Sequence, residues 1–228
     1  PYTISLTVST YLSTAFFENT EMATVVVSPL PAPGITGENL VSSNEVGVVY
    51  TTEPGMSNYQ WSVNGGTITA GGGTTDNTAT VQWSVAGDGY VYVNYENAGG
   101  CDASTATEYY VEIRDKITVK DDIWNDATTW DPPGIPTDIQ DITIVHTVNV
   151  ANSASCSNMN IETGGEVLVN PGKALTVKGT LTNNVGPSAL VIQSDATGTG
   201  SLIHITDGVN ATVRQYLTAD AWHYVSSP

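Results

Sequence analysis

The sequence predicts an all-β chain, a β-sandwich followed by a second β domain that is either solenoid-like or a jelly roll. Three observations carry that prediction. No stretch of a dozen residues places apolar side chains at i, i+3, i+4 and i+7, so helical periodicity is missing. Short runs rich in Val, Ile, Thr and Tyr alternate apolar with polar positions, as half-buried strands do. Between the runs stand Gly, Asn and Pro, which end strands by supplying positive φ or by removing an N–H donor.

Residues 1–30 open with YTISLTVST, where Tyr2, Ile4, Leu6 and Val8 share one face, and continue with MATVVVSPL. Pro29, Pro31 and Pro33 then break the ladder, so 1–30 is expected to be the last two strands of a preceding domain. Residues 33–117 hold EVGVVYTT, NYQWSVNGG, TATVQWSV, GYVYVNYEN and EYYVEIRD, the short strands of a sandwich. Asn64-Gly65-Gly66, Gly71-Gly72-Gly73 and Gly87-Asp88-Gly89 are read as its turns, and Trp61 and Trp83 as core.

Residues 118–228 change character, with briefer strands such as DITIVHTVNV, NMNIETG, EVLVNPG, ALTVKGTLTNN, ALVIQSD and SLIHITDG. NMNIET, ALTVKG, ALVIQS and SLIHIT begin at 158, 174, 189 and 201, a loose repeat of roughly 12 to 16 that suggests stacked rungs. The imperfect period and the larger side chains of the last strands keep the jelly roll in play.

Composition excludes some partners. At 228 residues and 40% hydrophobic content the chain can build one large core or two ordinary ones. Its 6 basic and 23 acidic residues give a formal charge of −17, and no Lys or Arg precedes Arg114. Such a surface repels phosphate backbones and anionic lipid, which excludes nucleic acid as a partner. Apolar runs fall far short of the roughly 20 residues that span a bilayer. The chain starts inside a strand without an initiator Met or signal peptide, and is expected to be part of something longer. Cys101 and Cys156 lie in different predicted domains, which favours two separate thiols over a disulfide.

The stretch DDIWNDATTWDPPGIPTD, residues 121–138, is where acids and aromatics crowd. Trp124 and Trp130 are the candidate ligand-binding residues, because an exposed indole stacks on sugar rings; the alternative is that they pack as a lid on the second domain. Asp115, Asp121, Asp122, Asp126 and Asp131 flank the change of domain. They are the candidate metal ligands, since hard Ca²⁺ takes carboxylate and carbonyl oxygens. Ca²⁺ is the one cofactor the sequence suggests, and the spacing lacks a DxDxDG loop; a solvated acidic linker is the plainer reading.

Tyr50, Tyr59-Gln60-Trp61-Ser62-Val63, Gly65-Gly66-Thr67-Ile68, Thr80-Val81-Gln82-Trp83, Gly87-Asp88-Gly89 and Cys101 resemble the PKD-like, immunoglobulin-fold modules of large Bacteroidota surface proteins. Trp61 is followed by Ser-Val-Asn-Gly-Gly where better-known PKD domains carry a Trp-x-Phe-Gly-Asp-Gly type motif, so no ligand site is carried over. Trp124-Asn125-Asp126, Trp130, Gly134-Ile135-Pro136-Thr137, Gly164-Gly165-Glu166-Val167, Leu175-Thr176-Val177-Lys178-Gly179, Arg214-Gln215-Tyr216-Leu217 and Trp222-His223-Tyr224-Val225 are similar to β-rich segments of the same class. The resemblance implies very long secreted adhesin-like or structural chains, exported by the type IX secretion system and in some cases linked to gliding motility. Its implied partners are neighbouring repeat domains, the secretion machinery, and glycans or an external surface.

No HExxH, paired CxxC, GxSxG, P-loop or dinucleotide fingerprint occurs, and His146 and His204 sit inside strand-like runs. Most carboxylates of 140–210 fall at strand ends beside Gly or Thr. The expectation is therefore a non-catalytic stalk or adhesin segment at the cell surface. The alternative is a carbohydrate-binding or accessory module of a secreted polysaccharide-active enzyme.

Overall fold

The computed structural model describes residues 2–12 and 15–25 as backbone and 29–219 in full. Strands β1 (Tyr2–Leu12) and β2 (Ala15–Val25) pair antiparallel as a sheet of their own, so the second strand starts earlier than MATVVV suggests. Residues 26–28 and the closing stretch 220–228, with Trp222-His223-Tyr224-Val225, lie outside the described residues.

Residues 35–114 form two sheets packed face to face. Seven strands build them: β3 (Leu40–Ser42), β4 (Val48–Thr51), β5 (Ser57–Asn64), β6 (Gly66–Gly71), β7 (Thr78–Trp83), β8 (Gly87–Glu96) and β9 (Thr107–Arg114). One sheet runs β3-β9-β8-β5 and the other β4-β7-β6; β3 against β9 is the one parallel pair. Alternation decides the core: Tyr50, Val81, Trp83, Val91, Val111 and Ile113 point between the sheets. Tyr50 meets the Trp83 indole edge-on at 5.9 Å and donates its hydroxyl to Glu38 O at 2.8 Å, so its polar tip is satisfied at the core's margin.

Trp61 differs from expectation. It is half-buried at the rim of this core, where its Nε1 donates to Asp76 O at 2.8 Å. Gly65, at φ +82°, makes the β5–β6 turn as read from the sequence. The Gly87-Asp88-Gly89 turn is instead the start of β8: a Cβ on Gly89 would lie 2.5 Å from Trp83 Cζ3, so that glycine makes room for the indole.

The second unit is built otherwise. Its strands are β10 (Lys116–Thr118), β11 (Asp122–Ile123), β12 (Trp130–Asp131), β13 (Ile142–Ile144), β14 (Thr147–Val150), β15 (Ala154–Cys156), β16 (Met159–Ile161), β17 (Glu166–Val169), β18 (Ala174–Val177), β19 (Leu181–Asn183) and β20 (Leu190–Ile192), followed by β21 (Ser194–Asp195), β22 (Gly198–Thr199), β23 (Ser201–Ile203) and β24 (Thr212–Val213). Three stacked sheets result, β12-β10-β13-β16-β19, β11-β14-β17-β20-β24 and β15-β18-β23, beside the antiparallel two-stranded sheet β21-β22. From β13 to β20 the chain visits first, second and third sheet in turn, then reaches the third sheet with β23 after the β21-β22 hairpin and the second with β24, and the pairings from pass to pass are parallel.

Register aligns like with like. Ile142 pairs with Met159 and Met159 with Leu181; Val148 with Val167 and Val167 with Leu190; Val150 with Val169 and Val169 with Ile192. All of these side chains are buried in one core, where each contributes about 1.5–3 kcal/mol. One pass of the chain takes about 20 residues, longer than the spacing read from the sequence. The four starts at 158, 174, 189 and 201 lead into strands of the first, third, second and third sheets, so their spacing measured steps between sheets.

Candidate functional site

The joint between the two units is one residue long: β9 ends at Arg114 and β10 begins at Lys116. Asn44 of the sandwich donates Nδ2 to Ile139 O at 3.1 Å, and Arg114 bridges Glu112 at 2.7 Å and Asp131 at 3.2 Å. A cavity of about 180 Å³ lies between them, lined by Asn44, Glu45 and Val46 from one side and Lys116, Pro133 and Ile135 from the other.

Lys116 is the residue that sequence reasoning missed. In Lys116-Ile117-Thr118 the alternating pattern would turn Ile117 inward, yet Lys116 and Thr118 are the buried pair. Parallel pairing of Lys116 with Ile142 fixes that register, and the lysine stem crosses beneath the proline loop to place Nζ 2.8 Å from Pro132 O and 3.1 Å from Pro133 O. At 2% exposure its ammonium is desolvated, and burial pulls its pKa below the ordinary lysine value against the raising influence of Glu45 and Asp131. Thr118 closes the corner, its Oγ1 accepting from Val145 N at 2.9 Å and His146 N at 3.1 Å, and the half-buried His146 ring has Nδ1 2.9 Å from Thr118 O.

The two candidate ligand tryptophans are not on the surface. Trp124 is 0% and Trp130 1% exposed, their rings meet edge-on at 5.1 Å, and Trp130 Nε1 donates to Trp124 O at 3.0 Å. Both belong to the second unit's core, next to its first pass, where β12 pairs antiparallel with β10 on the side away from β13. The ligand-platform expectation is thereby corrected: buried indoles offer no face to a sugar, because closing this end of the core takes up both rings.

The five aspartates proposed for Ca²⁺ do not converge either. Asp121 accepts Thr147 N at 2.7 Å. Asp122 pairs with Lys120, which holds its carboxyl below the usual range, aided by Ile123 N. Asp126 is held low by Thr128, whose Oγ1 and N lie 2.6 and 2.7 Å away, and so caps the short 3₁₀ turn Ala127–Thr129. Asp131 faces Arg114, and Asp115 lies on the exposed outer side of the first sheet. Among the described residues no three His, Cys, Asp or Glu side chains are grouped to hold a metal. The physical reason is that backbone N–H groups take up three of the acids: Asp122 and Asp126 accept from their own corners, and Asp121 from Thr147 at the start of β14.

Cys101 and Cys156 are both free; Cys156 is buried in the second core and Cys101 half-buried in the first unit. Among the described residues no helix is long and apolar enough to cross a membrane.

The unit on the near side of the joint carries Tyr50, Tyr59 and Trp83 inside a two-sheet sandwich whose strands follow the predicted order of aromatics and glycines. Residues 28–111 match the family model of the PKD-like domain. No curated protein and no solved structure matches the chain significantly. The PKD-like module thus ends at or just before the joint, and the three-sheet unit beyond it lies outside the matched range.

Within the PKD-like module one polar cluster stands out. Glu53 accepts Gly34 N at 3.1 Å, Thr52 Oγ1 at 2.7 Å and the Tyr95 hydroxyl at 3.0 Å, while Tyr59 donates to Glu53 O at 2.8 Å. Partial burial pushes the carboxyl up, and those hydrogen bonds outweigh it, so its pKa falls below the usual value. The same contact, added to burial, raises Tyr95 to about 12. These bonds tie the incoming segment at Gly34 to the sandwich.

Proposed function

We propose that the chain is a non-catalytic structural or adhesive segment of a long secreted cell-surface protein, in which a PKD-like module is fused to a β-solenoid. The observation that carries the reading is the one-residue joint, crossed by Asn44 Nδ2 to Ile139 O and by Arg114 to Asp131. Two units meant to move independently would be expected to have a longer polar linker; here the Asn44 and Arg114 side chains bind the second unit directly. Parallel pairing from pass to pass, with apolar residues stacked in register, favours a solenoid over a jelly roll, whose strands are antiparallel. Residues 1–30 fit as strands of a preceding module. The resemblance to Bacteroidota surface proteins supports an extracellular location, export by the type IX system, and neighbouring repeat domains as partners, with attachment or gliding as the setting.

Small-angle scattering of the chain tests the reading. An elongated, rigid particle whose profile is unchanged between low and moderate salt is expected. A compact globule, or two units tumbling independently, would overturn it.

A further inference from the structure

The outer face of the first three-sheet ladder carries a shallow trough of about 400 Å³. Its floor follows from register. Because Ile142, Met159 and Leu181 stack inward, their neighbours Thr143, Asn160 and Thr182 stack outward, one per pass. One rim is Asp141, Asn158 and Thr180, the residues just before those strands, with Asp115 at the joint end. The opposite rim is Glu162 and Asn184.

The rims are held in place. Asp141 Oδ1 accepts Asn158 N at 3.0 Å and Nδ2 at 2.8 Å, and Asn158 Oδ1 accepts Thr180 N at 2.7 Å. Across the trough Glu162 Oε1 accepts Asn160 Nδ2 at 2.6 Å and Asn184 Nδ2 at 2.9 Å. By contrast the hydroxyls of Thr143, Thr180 and Thr182 make no hydrogen bond among the described residues, and neither does the Asp115 carboxylate. The result is two free floor hydroxyls, Thr143 and Thr182, two rungs or about 9.6 Å apart at the ~4.8 Å spacing of paired strands, with the fixed Asn160 amide between them and carboxylates at the rims.

The chemistry narrows the occupant. Polar walls do not suit an apolar ligand, and a trough edged by Asp115, Asp141 and Glu162 on a chain of net charge −17 repels a polyanion. A linear chain of neutral sugars fits. Its hydroxyls can donate to carboxylates and accept from Thr143 and Thr182, whose two-rung separation of about 9.6 Å is spanned by roughly two pyranose units. We propose that this trough is a binding site for a neutral polysaccharide lying along the stack, across rather than parallel to the strands. The proposal gives the adhesive half of the preceding reading a location and a ligand class. It fails separately, since absence of sugar binding leaves the scattering result untouched.

The test uses the whole chain with cello-, xylo-, manno- and maltohexaose as probes, followed by amide NMR shifts and calorimetry. At least one hexaose is expected to shift the amides of β13, β16 and β19. Thr143→Val with Thr182→Val removes two hydroxyls at constant shape, and is expected to weaken that binding about tenfold, as loss of two modest hydrogen bonds would, with melting unchanged. Four silent hexaoses, shifts mapping to another face, or a double variant that binds like the parent would each overturn the proposal. So would tighter binding of polygalacturonate than of any neutral probe.

Discussion

Replacing each joint tryptophan by phenylalanine separates a hydrogen bond from mere ring volume. Trp130 and Trp124 lose the same atoms on becoming Phe, in adjacent positions of one core, so their packing losses are similar. Their indole N–H groups differ. Trp130 Nε1 donates to Trp124 O at 3.0 Å, whereas Trp124 Nε1 is buried without a partner among the described residues. Trp130→Phe therefore leaves a buried carbonyl bare, which costs about 1–3 kcal/mol, while Trp124→Phe removes a donor that was already unpaired. The difference between the two variants should be about 1–3 kcal/mol, with Trp130→Phe the less stable. Trp130→Ala, which opens a cavity as well, should lose about 3–5 kcal/mol. Urea unfolding followed by far-UV circular dichroism gives all three values. Equal losses for the two Phe variants would refute the hydrogen-bond argument. A Trp130→Ala chain within 1 kcal/mol of the parent, on a scale where core Trp→Ala costs about 3–5, would refute burial itself and return the indole to the list of ligand platforms.

Other expectations follow from the same contacts. Lys116→Ala should destabilise the chain by about 1–3 kcal/mol, chiefly by unpairing the buried Pro132 O, read by the same urea transition; Lys116→Met, which keeps the stem's packing, should cost less. Gly89→Ala should cost about 1–3 kcal/mol by pressing on the Trp83 ring, measured by thermal melting, with a loss below that range refuting the close approach. Burial raises the Cys156 thiol from 9.0 to about 12, so above pH 9 the unfolded chain sheds a proton that the folded one keeps. Stability should fall with pH from there at about 1.4 kcal/mol per unit from this group, and Cys156→Val should flatten that limb. A thiol reagent should titrate Cys101 in the native chain and Cys156 only after unfolding. Melting with EGTA should match melting with added Ca²⁺, since the five joint aspartates are engaged separately; a Ca²⁺-dependent midpoint would contradict that placement.

Much of the fold was legible because alternation and burial agree. Tyr50, Val81 and Trp83 sit where a two-residue period puts them, and so do Ile142 and Ile144. β3 and β6 were missed for opposite reasons: Leu40-Val41-Ser42 is too short to show a period, and Gly66–Gly71 is bounded by the glycines that signal turns. The rung length was misread because the sequence shows where strands start but not which sheet receives them, and three sheets visited in turn make a spacing of single strands look like a repeat.

The joint was the least legible part, and Lys116 shows why. A lysine beside Arg114 and Asp115 reads as a solvated linker, since its cost of burial is known from the sequence but its compensation is not. That compensation comes from two proline carbonyls that lack a local donor and lie sixteen and seventeen positions further on. Pro132 and Pro133 lie past β12, inside the second unit and not at the boundary, and the loop they stiffen holds two acceptors over the Lys116 ammonium. The acids and indoles of the same stretch looked like chemistry because they are what a sugar or cation site contains. The fold uses them to finish corners and close a core, and leaves the free Thr143 and Thr182 hydroxyls on the outer sheet, where threonine and asparagine gave no signal because the sequence does not reveal that they stand in line.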